Sequence, residues 1–292
     1  MKRANVLGAA LLAVTAAAYS VPAQAQVTLG ADAAFVSRYD WRGLTLGSEF
    51  AIEPDVYLTV PAGPGSITAG VWGNIEPSQY DGSDDISEGG GQSSFDLTEY
   101  DVWLEYAQTV GSVDFTLGGV GYLYPNPDNP NPPAVGLLTN DGSKTLELYG
   151  NISHSDILSP KFALWYDVGK INGAYMEGSI SPSYEVSPNL SVGFGALVGL
   201  SAGQGINDDP NSDDVANFED DGITHVDLSA NASITAGAVS FTPQVHVIFG
   251  VDEFTKFRTA NKSSDAKVWA GVTLSWYKDY GGAEEEAEEA AE

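Results

Sequence analysis

The chain has 292 residues, with 12 Lys plus Arg against 40 Asp plus Glu, for a formal net charge of −28. So large a negative excess excludes a nucleic-acid binder, which needs clustered cations for phosphate contacts. The absence of Cys excludes disulfide scaffolds, thiolate metal sites and cysteine nucleophiles.

Lys2 and Arg3 open the chain, an apolar run from Val6 to Ala18 follows, and Ala23-Gln24-Ala25 supplies a small-x-small cleavage site. Residues 1–25 therefore read as a secretory signal peptide. The alternative, an uncleaved anchor, would need a longer run of ~20 apolar residues.

From Val27 onward the dominant period is two. Phe50, Ile52, Pro54, Val56, Leu58 and Val60 alternate with Glu49, Glu53, Asp55, Tyr57 and Thr59. Alternation of this kind marks strands with one apolar and one polar face. The pattern predicts strands near 27–38, 49–60, 66–75, 95–107, 112–124, 144–153, 160–168, 173–186, 190–201, 225–234, 239–249 and 267–277. Their connections alternate in length. Those near 39–48, 76–94, 125–143, 202–224 and 250–266 are long and polar, whereas those near 61–65, 108–111, 154–159, 187–189 and 235–238 are tight. Only 169–172 is short where a long connection is due.

An up-and-down meander sorts its connections this way, with tight turns at one end and long loops at the other, as outer-membrane barrels do. The predicted fold is all-β: a 12-stranded antiparallel transmembrane β-barrel over residues 26–278. Tyr106, Tyr184, Trp276 and Tyr166 fall on its apolar face near the two ends, as aromatic girdles would. Residues 279–292 form an acidic low-complexity tail.

The stretch Phe35-Val36-Ser37-Arg38-Tyr39-Asp40-Trp41-Arg42-Gly43, followed by Glu53-Pro54-Asp55-Val56-Tyr57, resembles the opening of the TorF-like porins of proteobacteria. The shared Ser-x-Tyr-x-x-Arg-Gly pattern corresponds here to Ser37, Tyr39, Arg42 and Gly43. The resemblance implies an outer-membrane pore and brings no catalytic residue with it. Two departures stand out: the last strand is followed by a tail, and the loops are unusually acidic.

If the apolar face meets lipid, the opposite face lines the lumen. Alternation puts Asp32, Glu49, Glu53, Asp55, Glu99, Asp101, Glu105, Asp114, Glu147, Asp167, Glu177, Glu185 and Asp227 there. The cations on that face are few: Arg38, Lys161 and Lys267. Carboxylates in a confined space concentrate cations and repel anions, which predicts a narrow, cation-preferring pore. Halophilic acidity spread over every wet surface is the competing explanation, and the two are compatible.

The acidic loop places Asp209, Asn211, Asp213 and Asp220 at calcium-loop spacing, but Asp214 stands where the turn wants Gly. A solvated loop is the simpler reading. Of the three histidines, His225 and His246 fall on the lumen face and can pair with Asp227 and Gln244, while His154 lies in a turn beside Ser155 and Asp156. A lumen hydrogen-bond network explains them more simply than hydrolysis does.

The expected function is a porin-like channel for small hydrophilic solutes that calls for no cofactor. Its expected partners are outer-membrane lipid and lipopolysaccharide, cationic solutes and the barrel-assembly machinery. The alternatives are a closed structural or adhesive barrel acting through its loops, and a hydrolase. Arg38, Arg42, Lys256, Arg258 and Lys262 are expected to form a basic patch where first and last loops meet, facing acidic loops or anionic headgroups.

Overall fold

A computed structural model describes residues 26–77, 95–125, 144–206, 216–259 and 262–281. The signal segment, the loop positions Asp209, Asn211 and Asp213, and the tail from 282 lie outside them. The chain forms a closed antiparallel barrel of twelve strands. These are β1 (Val27–Val36), β2 (Ala51–Ala62), β3 (Gly65–Glu76), β4 (Asp96–Val110), β5 (Val113–Leu123) and β6 (Lys144–His154). They continue with β7 (Lys161–Asp167), β8 (Ala174–Ile180, resuming at Ser183–Ser187), β9 (Leu190–Ala202), β10 (Gly222–Ala236), β11 (Val239–Gly250) and β12 (Ala266–Tyr280). Each strand pairs with the next, and β1 closes the ring on β12 with Val27 opposite Tyr280 and Val36 opposite Gly271. Both ends of the barrel chain therefore lie at the tight-turn end.

The twelve predicted strands are the twelve observed ones. The period-two pattern survives because one face needs apolar side chains and the other does not. Outward positions carry Val56, Val71, Leu104, Phe115, Leu117, Leu148, Phe162, Phe194, Leu228, Val245 and Val268, all well exposed. A protein in water does not expose so continuous an apolar belt, whereas lipid accepts it. Tyr166 and Tyr184 also point outward and are exposed.

Two local features depart from a uniform meander. Ser181-Pro182 interrupts β8, since proline lacks the N–H that the ladder needs. After the break, Ser183–Ser187 pairs, among the described residues, with β9 alone. The short connection after β7 has its own explanation. Asp167 Oδ1 accepts hydrogen bonds from the amides of Gly169, Lys170 and Ile171 at 2.7–2.9 Å, and Thr145 Oγ1 donates to Asp167 Oδ2 at 2.6 Å. One carboxylate thus satisfies the amides of a whole turn, so no long loop is needed.

The first long connection does not stand in solvent. It forms a hairpin, Tyr39–Trp41 paired with Leu44–Gly47, whose side chains meet the inner wall of the barrel. Val36, Tyr39 and Ala51 form one buried apolar cluster beside Trp41, Leu46, Trp72 and Trp269. Leu44, Tyr175 and Phe218 form another. The apolar core of this protein is the seam between the hairpin and the loop end of the lumen.

Candidate functional site: the lumen and its inward hairpin

The hairpin turn is Trp41-Arg42-Gly43-Leu44, with positive φ at both central residues (50° at Arg42, 80° at Gly43). That is the type I′ geometry that suits a two-residue hairpin, and it needs glycine or an amide side chain more often than arginine. Arg42 accepts the left-handed conformation because its guanidinium is held elsewhere. Nη1 and Nη2 donate to the two oxygens of Glu147 at 2.7 and 2.6 Å, and both side chains are almost wholly buried. The guanidinium carbon lies 4.3 Å from the Trp41 ring centroid, 4.5 Å from Tyr175 and 5.0 Å from Trp165. Tyr122 donates its hydroxyl to the same Glu147 carboxylate at 2.8 Å. A planar fork matched to a carboxylate and sandwiched by rings is a contact that lysine could not make.

The rest of the hairpin is pinned around this centre. Tyr39 donates to Glu99 at 3.0 Å. Lys267 Nζ lies 2.7 Å from Asp40 Oδ1 and donates to the Gly43 carbonyl and Thr45 Oγ1 at 2.6 and 2.8 Å. Gly43 sits against the His225 ring, so a β-carbon there would meet it at 2.4 Å. Ser37 extends the β1–β12 pairing, its amide donating to the Ala270 carbonyl at 2.9 Å and its hydroxyl accepting from the Ala270 amide at 3.1 Å. All four residues of the family-like pattern, Ser37, Tyr39, Arg42 and Gly43, therefore serve to seat the hairpin.

The strand registers put Asp32, Glu53, Asp55, Glu99, Asp101, Glu105, Asp114, Glu147, Asp167, Glu177, Glu185, Asp227, Lys161 and Lys267 on the inner face together. They do not share one environment. Glu99, Asp101, Glu147, Asp167 and Lys267 are buried; of these Glu99, Glu147 and Lys267 hold the hairpin and Asp167 holds the turn after β7. Asp32, Glu53, Asp55, Glu105, Asp114, Glu177 and Asp227 keep partial exposure, and Lys161 and Glu185 are exposed near the tight-turn end.

The expected basic patch changes too. Arg42 is drawn into the barrel by Glu147, so it faces neither loops nor headgroups. Arg38 does reach the last loop, its guanidinium 4.8 Å from the Phe257 ring, and Lys256 pairs with Glu253 at 2.6 Å. Arg258 and Lys262 belong to the small hairpin Phe257–Thr259 with Lys262–Ser264.

Of the calcium-loop candidates only Asp220 is described, and its amide donates to Asp252 Oδ2 at 2.9 Å. Its neighbour Asp221 organises the segment: Oδ1 accepts from the amides of Gly203, Gln204 and Gly205 at 2.7–3.3 Å and from Ser201 Oγ at 3.3 Å. These bonds, the Gly203 amide foremost, hold the Asp221 carboxyl below the usual aspartate range.

His246 Nδ1 lies 2.8 Å from Asp227 Oδ2, and the imidazole stacks on Trp269 at 4.0 Å between centroids. His225 stacks instead on Tyr175 and shares a 3.0 Å hydrogen bond with Thr224. His154 ends β6 and meets Ser112 Oγ at 2.7 Å.

Below the hairpin, mid-barrel, sequence periodicity gave no warning of a further pattern. Three inward rings lie flat against the wall, each over a glycine of the preceding strand: Tyr57 over Gly30, Trp103 over Gly70 and Tyr149 over Gly118. A β-carbon at those glycines would meet the rings at 2.1, 2.5 and 2.4 Å. Tyr57 and Trp103 are 6.2 Å apart, Tyr149 and Trp165 6.4 Å, and Trp165 and Tyr175 5.8 Å. The alternating Gly and aromatic residues were visible in sequence, but the cross-strand register that superposes them was not.

No family model and no curated protein matches the chain. Among solved structures it is similar to an outer membrane channel from Pseudomonas putida F1 (10% identity over 89% of this chain and 97% of that chain, TM-score 0.45). It is also similar to the NanC porin (7%, 84% and 98%, 0.48) and to LpxR from Salmonella typhimurium (9%, 85% and 99%, 0.49).

Proposed function

We propose that the protein is an outer-membrane channel for small hydrophilic solutes, narrow and cation-preferring, with its loop end constricted by the hairpin at 39–47. The apolar outward belt supports placement in lipid, since a closed barrel satisfies every strand amide without water. The observation that carries the reading is the split of the inner face. At the loop end Glu99 and Glu147 are buried and bound to the hairpin, whereas Asp32, Asp55, Glu105 and Asp227 lower down keep partial exposure. A dozen strands enclose only a modest bore, so those carboxylates act at short range on whatever enters. Lipopolysaccharide and the assembly machinery are its proposed surroundings, and membership of the TorF-like porins is proposed on the hairpin residues Ser37, Tyr39, Arg42 and Gly43.

Purified protein in planar bilayers under a KCl gradient tests this. The expected result is discrete conductance with a reversal potential on the cation-selective side. Anion selectivity overturns the preference. A silent barrel overturns the channel and favours the second reading, a closed barrel working through its loops, which the inward hairpin also suits. No hydrolytic chemistry is assigned to Asp227 and His246. Phospholipase activity that disappears in His246→Ala would overturn that assignment.

A further inference from the structure

Arg42 is a ligand that the barrel supplies to itself. Its guanidinium occupies a pocket of inner-wall rings, Trp165 and Tyr175, and a wall carboxylate, Glu147. This shows what chemistry the wall of this lumen receives: a flat or compact organic cation, with rings beneath it and a carboxylate beside it.

The same combination recurs mid-barrel, where no cationic side chain pairs with it among the described residues. Tyr57, Trp103 and Tyr149 lie flat over their glycines, so their faces turn towards the lumen, and all three keep partial exposure. Glu105 accepts a 2.8 Å hydrogen bond from the Tyr149 hydroxyl, which fixes the carboxylate beside the rings. Asp32 and Asp55 stand directly opposite each other on β1 and β2. Like charges in that position repel, and neither has a cationic partner among the described residues. The Asp55 carboxylate accepts from the Trp103 side chain, and its Oδ1 has no hydrogen-bond partner among the described residues. At the loop end the equivalent opposed pair, Glu147 and Asp167, is relieved by Arg42 and by turn amides.

We propose that the middle of the lumen is a subsite for organic cations: a guanidinium or primary ammonium on a short hydrocarbon frame, seated on Tyr57, Trp103 and Tyr149 and neutralised by Asp32, Asp55 and Glu105. This deepens the channel reading, because it names the solute class that such a channel selects. A neutral sugar could use the rings but would leave the opposed aspartates uncompensated. An inorganic cation could use the aspartates but would gain little from three aromatic faces.

The test separates binding from conduction. Agmatine is titrated calorimetrically into the full-length, detergent-folded protein, and in parallel added to one side of a bilayer conducting KCl. Saturable binding is expected, with current interruptions that grow with agmatine concentration. Trp103→Ala is expected to weaken binding about tenfold, the loss of one partly desolvated cation–π contact, and Trp103→Phe to restore most of it. Asp32→Asn with Asp55→Asn is expected to weaken agmatine while leaving a maltose titration flat. Absence of saturable heat, equal binding of maltose, or an unchanged constant in Trp103→Ala overturns the subsite, whatever the conductance shows. Binding without conductance keeps the subsite and overturns the channel.

Discussion

Among the carboxylates that oppose each other across neighbouring strands of this barrel, two pairs have contrasting surroundings. Glu147 and Asp167, at the loop end, are buried. Their charge is absorbed by Arg42 on one side and by the Thr145 hydroxyl and three turn amides on the other. Asp32 and Asp55, mid-barrel, are only partly buried and have no cationic partner among the described residues. The contrast shows how a strongly acidic chain can still close a barrel. At Glu147 and Asp167 negative charge is sealed away because donors of its own reach it, and at Asp32 and Asp55 it keeps partial exposure.

The most damaging way to break this contrast is Arg42→Ala. Glu147 would then be buried without its counter-ion, at a cost of about 3–5 kcal/mol. The hairpin would lose its anchor, so the urea midpoint should fall and the KCl conductance rise. An unchanged midpoint would show that the hairpin does not depend on this pair.

Gly43→Ala should come next, at about 1–3 kcal/mol. The position combines a φ of 80° with contact to His225, so both backbone and packing object. Unfolding followed by tryptophan fluorescence reads the loss.

Asp32→Asn sharpens the comparison with an effect of opposite sign. Removing one of two opposed charges should stabilise the barrel slightly, by about 0.2–1 kcal/mol, while moving the reversal potential towards zero.

The smallest expected effect concerns Asp221, an exposed acid relieved by amides as Asp167 is. Its carboxyl is held below the unfolded value, so its contribution is fully present above the ordinary aspartate range and is lost as pH falls through the lower, folded value. Limited proteolysis near Gly203–Gly205 should therefore accelerate on acidification, and Asp221→Asn should accelerate it at neutral pH.

The barrel was legible because alternation records, residue by residue, which side of a strand meets lipid. Val56 and Asp55 differ in chemistry for that reason alone. The hairpin was not legible in that way. Arg42 and Leu44 lie between strands, where no period says whether a loop folds outward or inward, and the choice depends on Glu147, more than a hundred residues away. Tyr39, Trp41, Leu44 and Leu46 were nevertheless a signal, since four large apolar or aromatic residues are more than a solvated loop needs. Asp167 shows the same limit: its place on the inner face followed from the alternation, but its use as a cap for the next turn depends on a local fold that alternation does not encode. The stacking of Tyr57, Trp103 and Tyr149 on glycines required the register between strands, a tertiary quantity.

The break at Ser181-Pro182 also decides how high the molecule can sit. Ser183–Ser187 presents a row of backbone groups with no strand partner on its β7 side among the described residues. Hydrocarbon does not tolerate an open edge, so on this flank the oily layer has to end above Ser183. Tyr184, half exposed and facing outward, then falls at headgroup depth, where its hydroxyl finds water. The wall is shorter here than on the flank of β4 and β10, so the surrounding bilayer must thin locally, or the barrel must tilt, to match it.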